Sequence, residues 1–496
     1  MSMPRIAAPI AVSLALILLC AAASFVIEPG WQSETRLTND PDTSTVGPNN
    51  GKWMAVAPNG DLHVVWIDSR DRAIRVFHKV KSGGIWSADE PVTAKGGNPA
   101  RPVIAFDRSG AMHLVWNDNR TGNQEIHHKI WYGVWVQEEQ LTFTDGDSFG
   151  SSIVTQGDTL HLVYMERIDG HLQIMYRYYY DFDWSAPYPL TDVATGDRMV
   201  PTMAKGRDDA LHVAWWDTRE DESGANGKIY YRKKAGDVWL DEVCLTNPAH
   251  NAMRPNITVD DSLHVHVVWI DARGTFEQIY YKRFGPAGWE PEVPVTNEQA
   301  THYHPSIAAG GGEIFVAYWD NYLPGAFSEV YFKRKAAGAW TGKFQVSTGS
   351  GPTFFPCLIA EPNRNVHIAW VDGRDGNLEI YYRNYVDPMS GIGGGGGGDE
   401  PPAAKVQVLL QAYPNPFRGS TSLDLSVPDE TSASLRIYSV DGRVVRTVLD
   451  ARLSEGTHRF VWNGRDDRGR ALAPGAYFAV GRVGKTRVSE KLVLIR

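Results

Sequence analysis

One strand is written seven times along this chain, and each copy ends in the same punctuation. Two or three aliphatic residues lead to an aromatic, one further residue and an acid. The copies are His63-Val64-Val65-Trp66-Ile67-Asp68, His113-Leu114-Val115-Trp116-Asn117-Asp118, His161-Leu162-Val163-Tyr164-Met165-Glu166, His212-Val213-Ala214-Trp215-Trp216-Asp217, His266-Val267-Val268-Trp269-Ile270-Asp271, Phe315-Val316-Ala317-Tyr318-Trp319-Asp320 and His367-Ile368-Ala369-Trp370-Val371-Asp372. Their aromatics fall 48 to 54 residues apart. A strand-built period of that size is the signature of a β-propeller.

Each period carries three more strand signals. A Tyr-rich strand follows the acid, as in Gln278 to Lys282 and Glu379 to Arg383. A Trp-led stretch then runs to a Thr, as from Trp86 to Thr93 and from Trp289 to Thr296. A Pro-led strand such as Arg101-Pro102-Val103-Ile104-Ala105 enters an Asp/Gly turn, which returns to the next aromatic strand. The ends complete the count. A Trp-led stretch stands alone at Trp31 to Thr38, and none follows the last Tyr-rich strand. Pairing the two would remove exposed edges, which otherwise invite aggregation. The expected fold is all-β: a seven-bladed β-propeller closed by its N-terminal strand, plus a C-terminal Ig-like β-sandwich. The boundaries expected are a signal peptide at 1–24, the propeller at 31–388, a Gly/Pro-rich linker at 389–402 and the Ig-like domain at 403–496.

The formal charge of −9 is unevenly spread, with about +6 in residues 403–496 and about −15 in the rest. An acidic main body argues against nucleic acid as a partner, because phosphate binding needs basic surface. Arg5, the apolar run Ile10 to Leu19 and the small residues Ala21-Ala22-Ala23 read as an export signal. A retained anchor, or a lipoprotein through Cys20, are the other readings of this segment. Cys244 and Cys357 occupy different positions of the repeat, so a mutual disulfide is not expected. No Cys/His spacing resembles a zinc site, and no cofactor or metal is expected.

Five copies continue as Asp-x-Arg: Asp68/Arg70, Asp118/Arg120, Asp217/Arg219, Asp271/Arg273 and Asp372/Arg374. A carboxylate that bonds its own turn and an Arg that reaches it form a structural device. The repeated His and aromatics read in the same way, as core between blades. Function would hide in the two exceptions, Glu166-Arg167 and Asp320-Asn321-Tyr322, and in the loops that enter the Pro-led strands. Those loops vary: Arg101, Phe149, Arg198 with Met199, Met253 with Arg254, His302-Tyr303-His304 and Phe354-Phe355. The candidate ligand-binding residues are Arg101, Arg198, Arg254, Tyr303, His304, Phe354, Glu166 and Tyr322. Aromatic planes with Arg and His would suit a sugar or an anionic polymer. No catalytic residue is assigned, and Glu166, Asp217 and Asp320 are the acids a hydrolase would have to draw on.

The Trp-x-Asp-x-Arg, Asp-x-x-Gly and Ile-Tyr-Tyr-Lys elements of residues 31–388 resemble the sialidase-like, or BNR-repeat-like, propellers of secreted bacterial proteins. True sialidases carry Ser-x-Asp-x-Gly-x-x-Trp boxes, and this chain has none. Beyond the Gly-rich run to Asp399, the series Tyr413-Pro414-Asn415-Pro416-Phe417, Asp441-Gly442-Arg443, Trp462-Asn463-Gly464, Pro474-Gly475-Ala476-Tyr477 and Lys491-Leu492-Val493-Leu494 resembles the C-terminal sorting domain of type IX secretion. That domain is related to the Ig-like domain of the flagellar hook-capping protein FlgD. The resemblance implies export through outer-membrane secretion machinery. The product would be secreted, or placed on the outer surface of a Gram-negative-type bacterium. A plain accessory Ig-like module is the other reading.

The functional expectation is a monomeric, secreted or cell-surface binding protein that offers a propeller loop face to glycan or protein. A sialidase-like glycoside hydrolase and a structural surface component are the alternatives.

Overall fold

The computed structural model describes residues 30–388 and 408–495, apart from short stretches at 49–50, 182, 193–194, 222–225, 248, 322–326, 337, 409, 414, 416 and 485. The expected signal peptide and linker lie outside the described residues. The described chain is β throughout; one 3-10 turn at Arg70–Arg72 is its only helical element, and no described helix could cross a membrane.

Each copy of the repeat forms its own antiparallel sheet. The fifth is representative. Ala252–Val259 pairs with Val265–Asp271, which pairs with Gln278–Gly285, which pairs with two short pieces, Gly288–Trp289 and Val293–Pro294. The Trp-led stretch is therefore two short pieces, broken between them, in most copies. The seventh sheet takes its outer strand from the start of the chain, with Thr35 opposite Tyr382 and Arg36 opposite Tyr381. Trp31 adds a further bridge to Tyr385. The first strand of each sheet packs against the first strand of the next, and Thr353–Ala360 of the seventh touches Met54–Val56 of the first.

The aromatic strand explains the packing. Its side chains alternate faces, and both faces are apolar, so each sheet is buried on both sides. Trp66, Trp116, Trp215, Trp269, Trp370, Tyr164 and Tyr318 are fully buried. One continuous core joins Trp53, Trp66 and Trp116 of the first two sheets to Val371 and Tyr382 of the seventh. Truncating one such indole is worth about 3–5 kcal/mol.

The repeated histidine belongs to this core. His161, His212, His266 and His367 each set Nδ1 at 2.7–2.8 Å from a tyrosine hydroxyl of the third strand: Tyr176, Tyr231, Tyr281 and Tyr382. In the first sheet the partner of His63 is His78, at 2.9 Å. Burial disfavours the charged form of three of them, drawing His63 and His161 down to about 3 and His212 to about 4. Cys244 is exposed and Cys357 buried, and both are free.

The C-terminal segment folds as two sheets. Leu410–Tyr413, Thr421–Val427 and Gly456–Trp462 make one. Thr431–Ser439, Val444–Leu453, Gly475–Val483 and Thr486–Leu494 make the other. Leu423, Leu425, Leu435, Ile437, Trp462 and Leu492 fill the space between them. Asn415 of the Tyr-Pro-Asn-Pro-Phe motif accepts the Val493 N–H at 2.8 Å, and the buried Phe417 donates its N–H to the Val493 carbonyl at 2.9 Å. The motif thus fastens the last strand. Tyr438, Phe478 and Val480 of this unit pack on Tyr132, Val134 and Val136 of the second sheet.

Two tests follow from this packing. Glu379 is fully buried where the N-terminal strand joins the seventh sheet, and it accepts from Arg36 (2.7 Å), the Asp40 N–H (3.2 Å), Asn377 (3.0 Å) and the Thr38 hydroxyl. Glu379→Ala is expected to cost about 3 kcal/mol in urea unfolding; a loss below about 0.5 kcal/mol would mean that this joint carries no load. The second test uses pH. A histidine whose folded value lies below its free value of 6.5 gives stability that is complete above 6.5 and lost as pH falls toward 3. The urea midpoint should fall between neutral pH and about 4.5, with each of His63, His161 and His212 contributing on the order of 1 kcal/mol. His212→Asn should shrink the fall, and an unchanged slope would count against neutral burial.

Candidate functional site

The turn after each aromatic strand is built around a buried carboxylate. Asp217 accepts from the Trp215 indole (2.9 Å), the Arg219 backbone N–H (2.9 Å) and the Arg219 guanidinium (2.5 Å). That guanidinium lies 4.4 Å over the Tyr230 ring and pairs with Glu242. Asp68, Asp271 and Asp372 repeat the set with Trp66, Trp269 and Trp370, and with Arg70, Arg273 and Arg374. Asp118 keeps the Arg120 pair. Asp-x-Arg is thus a repeated fastening.

The exceptions are fastened differently. Glu166 accepts from the Tyr164 hydroxyl at 3.4 Å, and burial raises its pKa. Asp320 faces Lys343 at 3.5 Å and the buried His302 at 4.0 Å, with a pKa likewise raised by burial. Of the three acids considered for hydrolysis, Asp217 has the full set of partners, Glu166 a single long hydrogen bond, and Asp320 a lysine and a histidine beside it.

The distinctive geometry lies one strand further in. Six first strands shift register against their neighbours near their entry, between Ala100/Val103, Phe149/Ser152, Met199/Thr202, Met253/Asn256, Tyr303/Ser306 and Phe354/Cys357. Each shift is a β-bulge, which bends the strand and re-aims a side chain. At the bulge stand Arg101, Gly150, Val200, Arg254, His304 and Phe355, all at φ between 45° and 69°. In five of them proline follows, and a proline has no N–H to lose from the ladder. Positive φ costs a non-glycine residue about 1–3 kcal/mol and persists only where the surrounding structure over-determines the backbone.

These bulges converge. A cavity of about 200 Å³ is lined by Arg101, Phe149, Met165, Val200, Trp216 and Arg254, among others. Arg101 lies 5.1 Å over the Phe149 ring. Burial and the charge of Arg254 lower the Arg101 pKa, and burial lowers that of Arg254. Arg254 donates to His304 Nε2 at 3.1 Å. His304 meets Phe355 edge-on at 4.9 Å, and Tyr303 stacks on Trp319 at 4.3 Å with Phe354 5.5 Å away. The result is a cationic cavity continued by an aromatic patch, and the lining residues suit an anion with an attached planar or ring-shaped body.

Of the candidates read from the sequence, Arg101, Arg254, Tyr303, His304 and Phe354 are brought together. Arg198 is not. It is buried 3.4 Å from Asp217 and donates to the carbonyls of Thr195 and Gly196, so it completes the fastening of its own sheet. Glu166 belongs to the frame, and Tyr322 lies outside the described residues. Sequence reasoning missed Val200, Met165, Trp216 and Trp319. The last three stand between the aromatic and the acid of the repeat, a place where Ile, Asn, Met, Trp and Val all occur. Trp216 needs Gly227 opposite it, where a Cβ would stand 1.5 Å from the indole nitrogen.

Residues 415–480 match the family model of the FlgD Ig-like domain. No curated protein matches the chain. Among solved structures, a PL25 ulvan lyase bound to a GlcA(1-4)Rha3S chain is similar over 70% of this chain and 95% of that chain, with 10% identity and a TM-score of 0.51. The polysaccharide lyase Uly1 is similar over 72% of this chain and 99% of that chain, with 10% identity and a TM-score of 0.50. The Hadza microbial sialidase Hz136 is more distant, at 11% identity over 63% of this chain and 73% of that chain, with a TM-score of 0.41. At such identities the likeness concerns the fold alone, which is all-β and propeller-like.

Strain at the bulge predicts an unusual mutational response. Val200→Gly is expected to leave the urea midpoint unchanged or raised, within about 1 kcal/mol. Val213→Gly, in the fully buried extended strand Leu211–Asp217, is expected to cost about 3 kcal/mol. Equal losses at the two positions would contradict the strain.

Proposed function

We propose that the protein is a secreted or cell-surface binding protein whose seven sheets are the blades of a closed propeller, and that the bulge residues at its mouth bind an acidic glycan. Closure is supported by the pairing of Thr35–Arg36 with Glu379–Tyr385 and by the packing of each first strand on the next. The observation that carries the ligand class is the pair Arg101 and Arg254 in one cavity lined by Phe149 and Trp216, which His304 continues to Trp319 and Phe355. Guanidinium groups pair with carboxylate or sulfate in a fixed fork geometry. Aromatic faces cover the apolar face of a ring, and pockets of this kind combine apolar walls with a few convergent polar groups.

A binding role is favoured over glycoside hydrolysis. Hydrolysis needs two carboxyl groups facing the ligand about 5–9.5 Å apart, and none of Glu166, Asp217 and Asp320 lines the cavity that holds Arg101 and Arg254. The C-terminal unit is read as a sorting module of the type IX kind that brings the monomer to the outer surface. Its match to the FlgD Ig-like domain and its fastened last strand support that reading.

Calorimetry on the full chain with a uronate oligosaccharide, a sulfated one and a neutral one of equal length tests the ligand class. The acidic oligosaccharides should bind, weakening as salt rises, and Arg101→Ala and Arg254→Ala should each lower affinity at least about tenfold. Equal binding of the neutral chain, or indifference to both substitutions, would sink the assignment. Mass spectrometry of the same mixtures should find the oligosaccharides intact.

A further inference from the structure

The turn joining the first two strands of the fifth sheet carries a donor set that the mouth does not use. Asp260, His264 and His266 place one ligand atom each within 4.8 Å of the others. Asp260 Oδ2 lies 2.9 Å from His264 Nδ1 and 3.2 Å from His266 Nε2. Ligands of an ion with bonds of about 2.0–2.2 Å stand roughly 3–3.5 Å apart, so small movements would close the set.

The other turns separate a structural pair from this trio. A carboxylate facing the repeated histidine recurs as Asp107 with His113, at 3.5 Å, and as Glu361 with His367, at 2.8 Å. That pair alone fastens a turn. The position of His264 is Ala111 in the second copy, Ala210 in the fourth and Asn365 in the seventh. A second imidazole is therefore an addition peculiar to the fifth copy, with no role in the shared design.

The surroundings orient these donors as second partners orient metal ligands. Asp260 Oδ1 accepts the backbone N–H of Ser262 (2.9 Å) and of His264 (2.8 Å), which leaves Oδ2 to the imidazoles. His266 Nδ1 meets the Tyr281 hydroxyl at 2.7 Å, which suits a ring whose Nε2 carries the free lone pair. That Nε2 is buried without an aligned hydrogen bond. Asp260 and His264 are each about one-fifth exposed, so an ion can reach the site and water can fill the remaining positions.

We infer that Asp260, His264 and His266 form a binding site for a divalent first-row transition-metal ion. Two imidazoles and one carboxylate suit zinc or a similar ion, whereas calcium and magnesium prefer oxygen donors. The site lies at the far end of the strand Ala252–Val259 from Arg254, so it is independent of the glycan-binding mouth.

Untagged, chelator-treated full chain titrated with Zn²⁺ by calorimetry, and with Co²⁺ by visible absorption, tests the inference. One equivalent should bind, and excess Mg²⁺ should not displace it. His264→Ala should weaken binding at least tenfold while leaving the metal-free urea midpoint unchanged. His171→Ala, at a half-exposed histidine two sheets away, should bind as the parent does. If His264→Ala lowers the metal-free midpoint, His264→Gln is read in its place. No saturable binding, or equal affinity in parent and both His264 variants, would overturn the site.

Discussion

The structure depends on the buried carboxylate that ends each aromatic strand. An ionised group without solvent is tolerated only when every lone pair is used. Here the indole, the turn's backbone N–H and the arginine fork use them together, as at Asp217 and Asp372. The same arginine then reaches a second acid from the outer piece of the sheet, Glu242 in one case and Glu34 in the other. One charge network thus ties the second strand, the turn and the outer strand of a sheet. Because Glu34 stands before the first strand, the network also ties the start of the chain to its seventh sheet.

That rigid frame permits strain where the sheets meet. Five non-glycine residues hold positive φ at equivalent bulges, and their side chains differ: Arg101, Val200, Arg254, His304 and Phe355. A repeated backbone with unrepeated side chains is how one scaffold makes an asymmetric site. The fastening turns do the reverse, since their side chains repeat and their neighbours vary little. In the proposed function, constancy marks load and variation marks recognition.

The sheets and the spare N-terminal strand were legible because a period-two pattern with a fixed acid leaves few alternatives. The repeated histidines of the core were legible for the same reason. Arg198 misled because a loop arginine at the strand entry reads like Arg101, and only coordinates separate a side chain turned toward Asp217 from one turned toward a cavity. The bulges were half-visible as an X-Pro step in most copies, yet composition does not report a positive φ. Trp216 and Trp319 were hidden in plain view, because large aromatics in a Trp-rich repeat read as core. His264 was obscured by the neighbouring His266, whose repeated role accounted for the histidine signal.

The most direct test of the account is a crystal structure of the chain with an acidic oligosaccharide. A carboxylate or sulfate is expected within about 3 Å of the Arg101 and Arg254 guanidinium groups, with a sugar ring against the Trp216 or Trp319 side of the mouth. An oligosaccharide seated away from the bulges, with both arginines untouched, would contradict it.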